Sequence, residues 1–254
     1  MTVLVAPFRT LEDYLGIDWF DIDRIIEYGE PTKEVTMLIG EFDVKTVETA
    51  LQSRGYTMES SAGFKLWCSE AGCQNGDKIN SQNAVKYAPF GGDLGRQQPI
   101  YISENMIVSA PMLENLMETI TTITGNHASL AQDPAYQSAI KIINPESILI
   151  QALLTNPSTF VVTDEFSQVS FLDDQIRLFE QADIPPYELV LIADTLSASE
   201  QVVYIAMVYD QSESVEPVAE IVDDRLHTMR SVKSMVPYWS KLESGRAYLS
   251  QTYT

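Results

Sequence analysis

The chain has 254 residues, 45% of them hydrophobic and 20% charged, and its 36 acidic and 16 basic residues give a formal net charge of −20. That composition supports a globular core and excludes disorder over most of the length. The negative charge disfavours nucleic acid and anionic membranes, both polyanions, as partners.

Thr10 caps a short helix over residues 11–15, with Asp13 in the capping-box place. Asp18 caps a second helix over 19–28, with Asp21 three residues on and Gly29 as its stop. Ile22, Ile25 and Ile26 supply its buried face. Residues 35–39 form a strand. Asp43 caps the next helix, where Val44, Val47, Ala50 and Leu51 fall on one stripe and Gly55 ends it. Residues 56–59 and 64–68 read as a hairpin turning at 60–63. A loop-rich stretch runs from 69 to 98.

Residues 100–102 and 106–108 form another strand pair. A helix follows with Leu113, Leu116, Met117, Ile120 and Ile123 on its stripe, closed by Gly125. Asp133-Pro134 and Asn144-Pro145 are both cap-plus-proline helix starts. The apolar run 148–154 is interrupted by Gln151 and falls short of the ~18 residues a membrane helix needs. Beyond Pro157 come a strand at 160–163, a helix near 172–182, a long hairpin from 187–194 to 201–209, and a helix at 213–229. The tail from Ser231 is polar and aromatic.

These elements define an α+β protein of two β-α-β-containing halves with mostly antiparallel sheets. Pro157 divides it into an N-terminal α+β domain, 1–156, and a C-terminal α+β domain, 157–254, packed as one unit or two. The halves share elements without evident residue identity. That fits a structural duplication, and equally an α+β protein that reuses strand–helix pairs.

No catalytic residue is assigned. His127 and His227 lie 100 residues apart, outside any metalloprotease spacing, and read as exposed or capping groups. There is no Gly-x-Ser-x-Gly elbow. Asp18, Asp21 and Asp23 lack the glycine and glutamate of a calcium-binding hand loop and read as helix-start residues.

The most ligand-like stretch is Gly91-Gly92-Asp93-Leu94-Gly95-Arg96. Clustered glycine lets backbone N–H groups approach a ligand, and Arg96 can hold a carboxylate or phosphate bidentately. Gly92, Asp93 and Arg96 are therefore the candidate ligand-binding residues. The alternative is a connector whose arginine ties it to the acidic body. No cofactor is expected.

Cys68 and Cys73, in Cys-Ser-Glu-Ala-Gly-Cys, suit a small disulfide-closed loop, with two free thiols as the alternative. A bridge there constrains the unfolded chain by about 2 kcal/mol and implies an oxidising, extracytoplasmic compartment. Two thiols with no histidine nearby fall short of the three or four ligands of a metal site, so no metal is assigned. Residues 1–7 lack the basic and apolar regions of a signal peptide, so a signal segment is expected to be absent from this chain.

Charge is uneven. Residues 159–224 carry 15 acidic residues and one basic; residues 225–246 carry five basic and one acidic. The acidic stretch is either a solvated surface or a face for a divalent cation or basic protein. Tyr238, Trp239 and Tyr248 in the tail are a candidate interaction surface.

Several stretches together resemble a known group. They are Gly40-x-Phe42-Asp43 leading through Ala50-Leu51 to Gly55-Tyr56, the Gly95-Arg96-Gln97-Gln98-Pro99 loop, Ser129-Leu130-Ala131-x-Asp133-Pro134-Ala135-Tyr136, and Pro185-Pro186-Tyr187. The combination resembles exported or lipid-anchored bacterial proteins of the Chloroflexi type that carry a domain of unknown function. The resemblance covers about two thirds of the chain. It implies a cell-envelope setting, no known reaction and no catalytic residues to carry over.

The function expected is thus a non-enzymatic, extracytoplasmic binding or protein-interaction module of the bacterial cell envelope. The alternatives are a small-molecule-binding or hydrolytic enzyme using residues 75–99, and a structural subunit of an envelope assembly.

Overall fold

In the computed structural model the described residues are 8–29, 33–85, 88–125, 127–156, 187–197 and 201–209. They form an α+β protein in which every described strand pair is antiparallel. The chain divides into two compact units, Met1–Ala128 and Ser129–Thr254. The division falls earlier than Pro157, and residues 156/157 lie inside the second unit. The reason is that the strand ending at Thr155 pairs with the strand that starts at Leu189.

The first unit holds α1 (Phe8–Leu15), β1 (Ile22–Tyr28), β2 (Val35–Gly40), α2 (Val44–Ser53), β3 (Thr57–Ser61), β4 (Phe64–Cys68), β5 (Ile100–Ser103), β6 (Met106–Ser109) and α3 (Leu113–Ile123). Its six strands run in the order β1-β2-β6-β5-β4-β3. Side chains alternate between faces along a strand, and here both faces are apolar. Leu38, Trp67, Ile100 and Ile107 pack on one face with Leu11, Leu15, Val47 and Leu51 from α1 and α2. Val35, Met37, Leu66 and Val108 pack on the other with Leu116 and Ile120 from α3. The β2-α2-β3 unit is a wide crossover, because β6, β5 and β4 lie between its strands.

Local chemistry accounts for the connections. The Asp43 carboxylate accepts from Lys45 N at 3.1 Å and caps α2. Ala62 and Gly63 have φ of 46° and 86°, which makes the β3–β4 turn a two-residue hairpin loop with both central residues left-handed.

Residues 19–28 are not a helix. Asp18 does cap, and its reciprocal bond with Asp21 is formed, but the turn it starts is one short 3-10 turn, Trp19–Asp21. The chain then becomes β1, paired with β2 from Ile22↔Gly40 to Tyr28↔Val35. Three β-branched isoleucines suit an edge strand. Gly40 admits the approach: a Cβ there would stand 1.9 Å from the Asp21 carbonyl oxygen. Ile25 and Ile26 stay exposed rather than forming a buried stripe.

The second unit holds α4 (Pro134–Ile140), β7 (Ile148–Thr155), β8 (Leu189–Leu196) and β9 (Gln201–Val208), with strand order β7-β8-β9. Asp133 caps α4 through the N–H groups of Ala135 and Tyr136, as the aspartate–proline pair predicts. Asn144-Pro145 starts no helix. The Asn144 side chain accepts from Glu146 N, closing a turn that feeds β7. Ala139 packs with Leu189, Leu191, Ala193 and Ala206. Three described strands here against six in the first unit do not establish a duplication. The strand at 160–163, the helix at 172–182, the helix at 213–229 and the tail lie outside the described residues.

Candidate functional site

The loop between β4 and β5 is a folded excursion. Asn80 N donates to Leu94 O, Val85 N to Gly92 O and Arg96 N to Gly91 O. Gly92 N, Leu94 N and Gly95 N also donate within the loop, to Pro89 O, Gly91 O and Gly92 O. The N–H groups of Gly92 and Gly95 are thus engaged in the loop's own turns rather than turned toward a ligand. Gly95 is fixed by two constraints: its φ is +69°, and a Cβ would stand 1.7 Å from the Asn80 carbonyl oxygen. The loop is pinned at both ends. Ala88 and Phe90 are buried in the α1/α2 core cluster. The wholly buried Ser109 Oγ donates to Gln98 Oε1 at 3.0 Å, with the Pro99 carbonyl at 3.1 Å.

The three loop residues singled out in the sequence differ in character. Gly92 is buried. Asp93 is exposed and accepts from Leu94 N at 2.9 Å, a local turn bond. Arg96 is half-buried, with its stem under Gly91: a Cβ on Gly91 would meet Arg96 Cδ at 3.0 Å. Its Nε is buried and has no hydrogen-bond partner. The reading of Arg96 as a tie to the acidic body therefore has no ion pair behind it among the described residues.

Packing adds three residues that the sequence did not single out as candidates. A Cβ on Gly92 would stand 3.1 Å from the Tyr14 hydroxyl, so the loop rests on Tyr14. The Arg54 guanidinium carbon lies 3.7 Å over the Tyr14 ring centroid, a cation–π contact. Arg54 Nε is likewise buried without a hydrogen-bond partner. Tyr14 also hydrogen-bonds Tyr56, whose phenol pKa is pushed well up, chiefly by burial and then by Tyr14; the Arg54 charge pulls the other way. Tyr14 thus links Gly92 of the loop to Arg54 and Tyr56 beyond α2, while Arg96 packs on the adjacent Gly91.

Other candidates sit elsewhere. Cys68 and Cys73 are both buried and stand at disulfide distance, Cα–Cα 4.8 Å. The Gly72 N–H bonds Ser69 O at 2.8 Å, and the turn returns the chain to Cys68. A shallow groove of about 410 Å³ beside α2 is lined by Gly16, Lys45, Thr46, Thr49, Ala50 and Ser53. Its three hydroxyls donate to Asp43, Lys45 O and Ala50 O, so among the described residues it offers the Lys45 cation, which faces the Asp43 carboxylate, and no activated nucleophile. The Asp18 and Asp21 carboxylates accept backbone bonds at the Trp19–Asp21 turn, in keeping with a capping role. His127 is exposed. His227, Tyr238, Trp239, Tyr248 and most of the acidic 159–224 stretch lie outside the described residues. No described helix is long and apolar enough to cross a membrane.

The fold and site define an α+β protein carrying a basic, tyrosine-backed loop cluster. Comparison with protein-family models, curated proteins and solved structures finds no match to this chain.

Proposed function

We propose that this protein is a non-enzymatic binding module of the bacterial cell envelope, and that Arg96 holds an anionic group of its ligand. One observation carries the reading. In a chain of net charge −20, Arg96 has a buried, unpaired Nε and no carboxylate partner among the described residues. An unsatisfied buried donor costs about 1–3 kcal/mol, and a bound carboxylate or phosphate would offset that cost through the guanidinium fork. Arg54 adds a second cation on Tyr14, the ring on which Gly92 rests. The disulfide-distance pair Cys68–Cys73 supports an oxidising compartment. The small-molecule-binding or hydrolytic alternative would use the same loop.

The test is calorimetric titration of the full chain with inorganic phosphate and with citrate, alongside native mass spectrometry of protein purified from its source. Wild type should bind one anion, Arg96→Ala should lose it, and Arg96→Lys should weaken it by losing the fork geometry. Equal binding by wild type and Arg96→Ala would rule the site out.

A second reading, a subunit of an envelope assembly, is favoured by β7. Its Ile148, Leu149 and Ile150 are 67%, 50% and 53% exposed. Adjacent exposed apolar side chains on an edge strand are a pairing surface. Sedimentation of the native protein that showed only a monomer would weigh against that role.

A further inference from the structure

Cys68 and Cys73 have a neighbour that linear spacing hides. Across the β3–β4 hairpin Thr57 faces Cys68 and Glu59 faces Leu66. Paired residues share a face of the sheet, so Glu59 is the diagonal neighbour of Cys68. The 69–72 turn then returns Cys73 to the same place. The result is a carboxylate oxygen and two sulfurs that all lie within 4.8 Å of one another. Around a tetrahedral zinc ion, with Zn–S near 2.3 Å, two sulfurs sit about 3.8 Å apart. The three donors therefore need only small side-chain adjustments to share one ion. The cysteines are buried and Glu59 is exposed on an edge strand. That leaves one open side, the arrangement in which three protein ligands and a water complete a zinc shell.

We propose that Cys68, Cys73 and Glu59 form a redox-gated Zn2+ site, closed while the cysteines are bridged and open when they are reduced. In the bridged form each sulfur is bonded to the other and carries no charge, so no thiolate ligand exists. A dithiol reductant opens the site. Its two sulfurs join as a disulfide, and two electrons and two protons pass to Cys68 and Cys73. Zn2+ then displaces those two protons and binds two thiolates and the Glu59 carboxylate. The ligand set carries −3 against the ion's +2, and the negative field of the chain draws the cation in. Because binding releases protons, affinity rises with pH. The pair would thus report its redox surroundings through zinc occupancy. This inference does not depend on the anion site at Arg96.

The experiment titrates the full chain with Zn2+ in competition with a chromophoric chelator, once oxidised and once reduced with a phosphine, with circular dichroism read on the same samples. The reduced chain should bind one Zn2+ and the oxidised chain none. Glu59→Gln should weaken the reduced site by more than about tenfold, the scale that even an outer-shell change produces, while oxidised Glu59→Gln melts with oxidised wild type. Co2+ in place of Zn2+ should give the absorption of a tetrahedral thiolate site in the reduced chain alone. Uptake by the oxidised chain equal to the reduced, or unchanged affinity in Glu59→Gln, would overturn the proposal. So would a reduced chain that takes no zinc, whether it stays folded or loses its fold without recovery on adding the ion.

Discussion

One strand from each sheet uses the same residue types, and the two reach opposite states of burial. In the first unit, β2 reads Val-Thr-Met-Leu-Ile-Gly and has helices against both faces, so Val35, Met37 and Leu38 are buried. In the second, β7 reads Ile-Leu-Ile-Gln-Ala-Leu-Leu-Thr, yet six of its eight residues are exposed. Leu154 of β7, half-buried, packs on the cluster of Ala139, Leu189, Leu191, Ala193 and Ala206. Apolar β-branched sequence therefore specifies a strand, while burial is specified by what lies across from it. The row Leu153–Ile192–Ile205, matched across all three strands, faces away from the α4 cluster, and Leu153 and Ile192 are 48% and 37% exposed.

The sharpest way to break this comparison is a matched pair of truncations. Leu66→Ala removes a wholly buried side chain from the first sheet and should cost about 2–5 kcal/mol, by lost transfer energy plus a cavity. Leu153→Ala on the second sheet should cost less than about 1 kcal/mol, because much of its side chain is already in water. Calorimetric unfolding of both variants reads the difference. A Leu153→Ala loss as large as that of Leu66→Ala would mean that the β7 face is covered in solution.

A second change separates the first sheet from its own loop. Gly95→Ala forces a left-handed φ on an alanine and drives a Cβ into the Asn80 carbonyl. The expected cost is about 1–3 kcal/mol. It should appear as faster proteolysis within residues 75–99, with α3 and the six strands keeping their hydrogen-exchange protection. Smaller and opposite in sign is Ala62→Gly at the β3–β4 turn, where φ is 46°. Relief of the Cβ clash, less the entropy a glycine adds to the unfolded chain, should raise stability by about 0.5–1 kcal/mol in denaturant titration.

Sequence pattern was legible where a signal was local. The Asp43 and Asp133 caps, the 60–63 turn and the strands around Glu104-Asn105 all follow from residues within a few positions of one another. It misled where a distant partner decided. Asp18 and Asp21 formed their box, but the backbone of β2 was a better partner for residues 22–28 than a helical turn was. Asn144 closed a turn because β8 pairs with the residues that follow it. The site followed the same rule. Arg96 was visible in its glycine loop, whereas Tyr14 and Arg54 reached it only through packing, and Glu59 met Cys68 only through hairpin register.

At neutral pH the smallest contrast is between one tyrosine from each unit, and it grows only in alkali. Tyr56 has its phenol pKa raised chiefly by burial, and Tyr209 is pushed up to about 12 by burial and then by Tyr187. In the unfolded chain both ionise near pH 10. Above that pH the unfolded chain holds fewer protons than the folded one, so stability falls as pH rises. Tyr209 contributes to the fall only between about pH 10 and 12, where its folded form also ionises. Tyr56 goes on contributing above that window, at up to about 1.4 kcal/mol per pH unit. Urea titrations at pH 8, 10 and 11 should show a shallower alkaline decline for Tyr56→Phe, on top of a pH-independent loss from its bond to Tyr14. An unchanged slope would mean that Tyr56 ionises as freely in the folded protein as in water, and that the Tyr14–Arg54–Gly92 cluster is open to solvent.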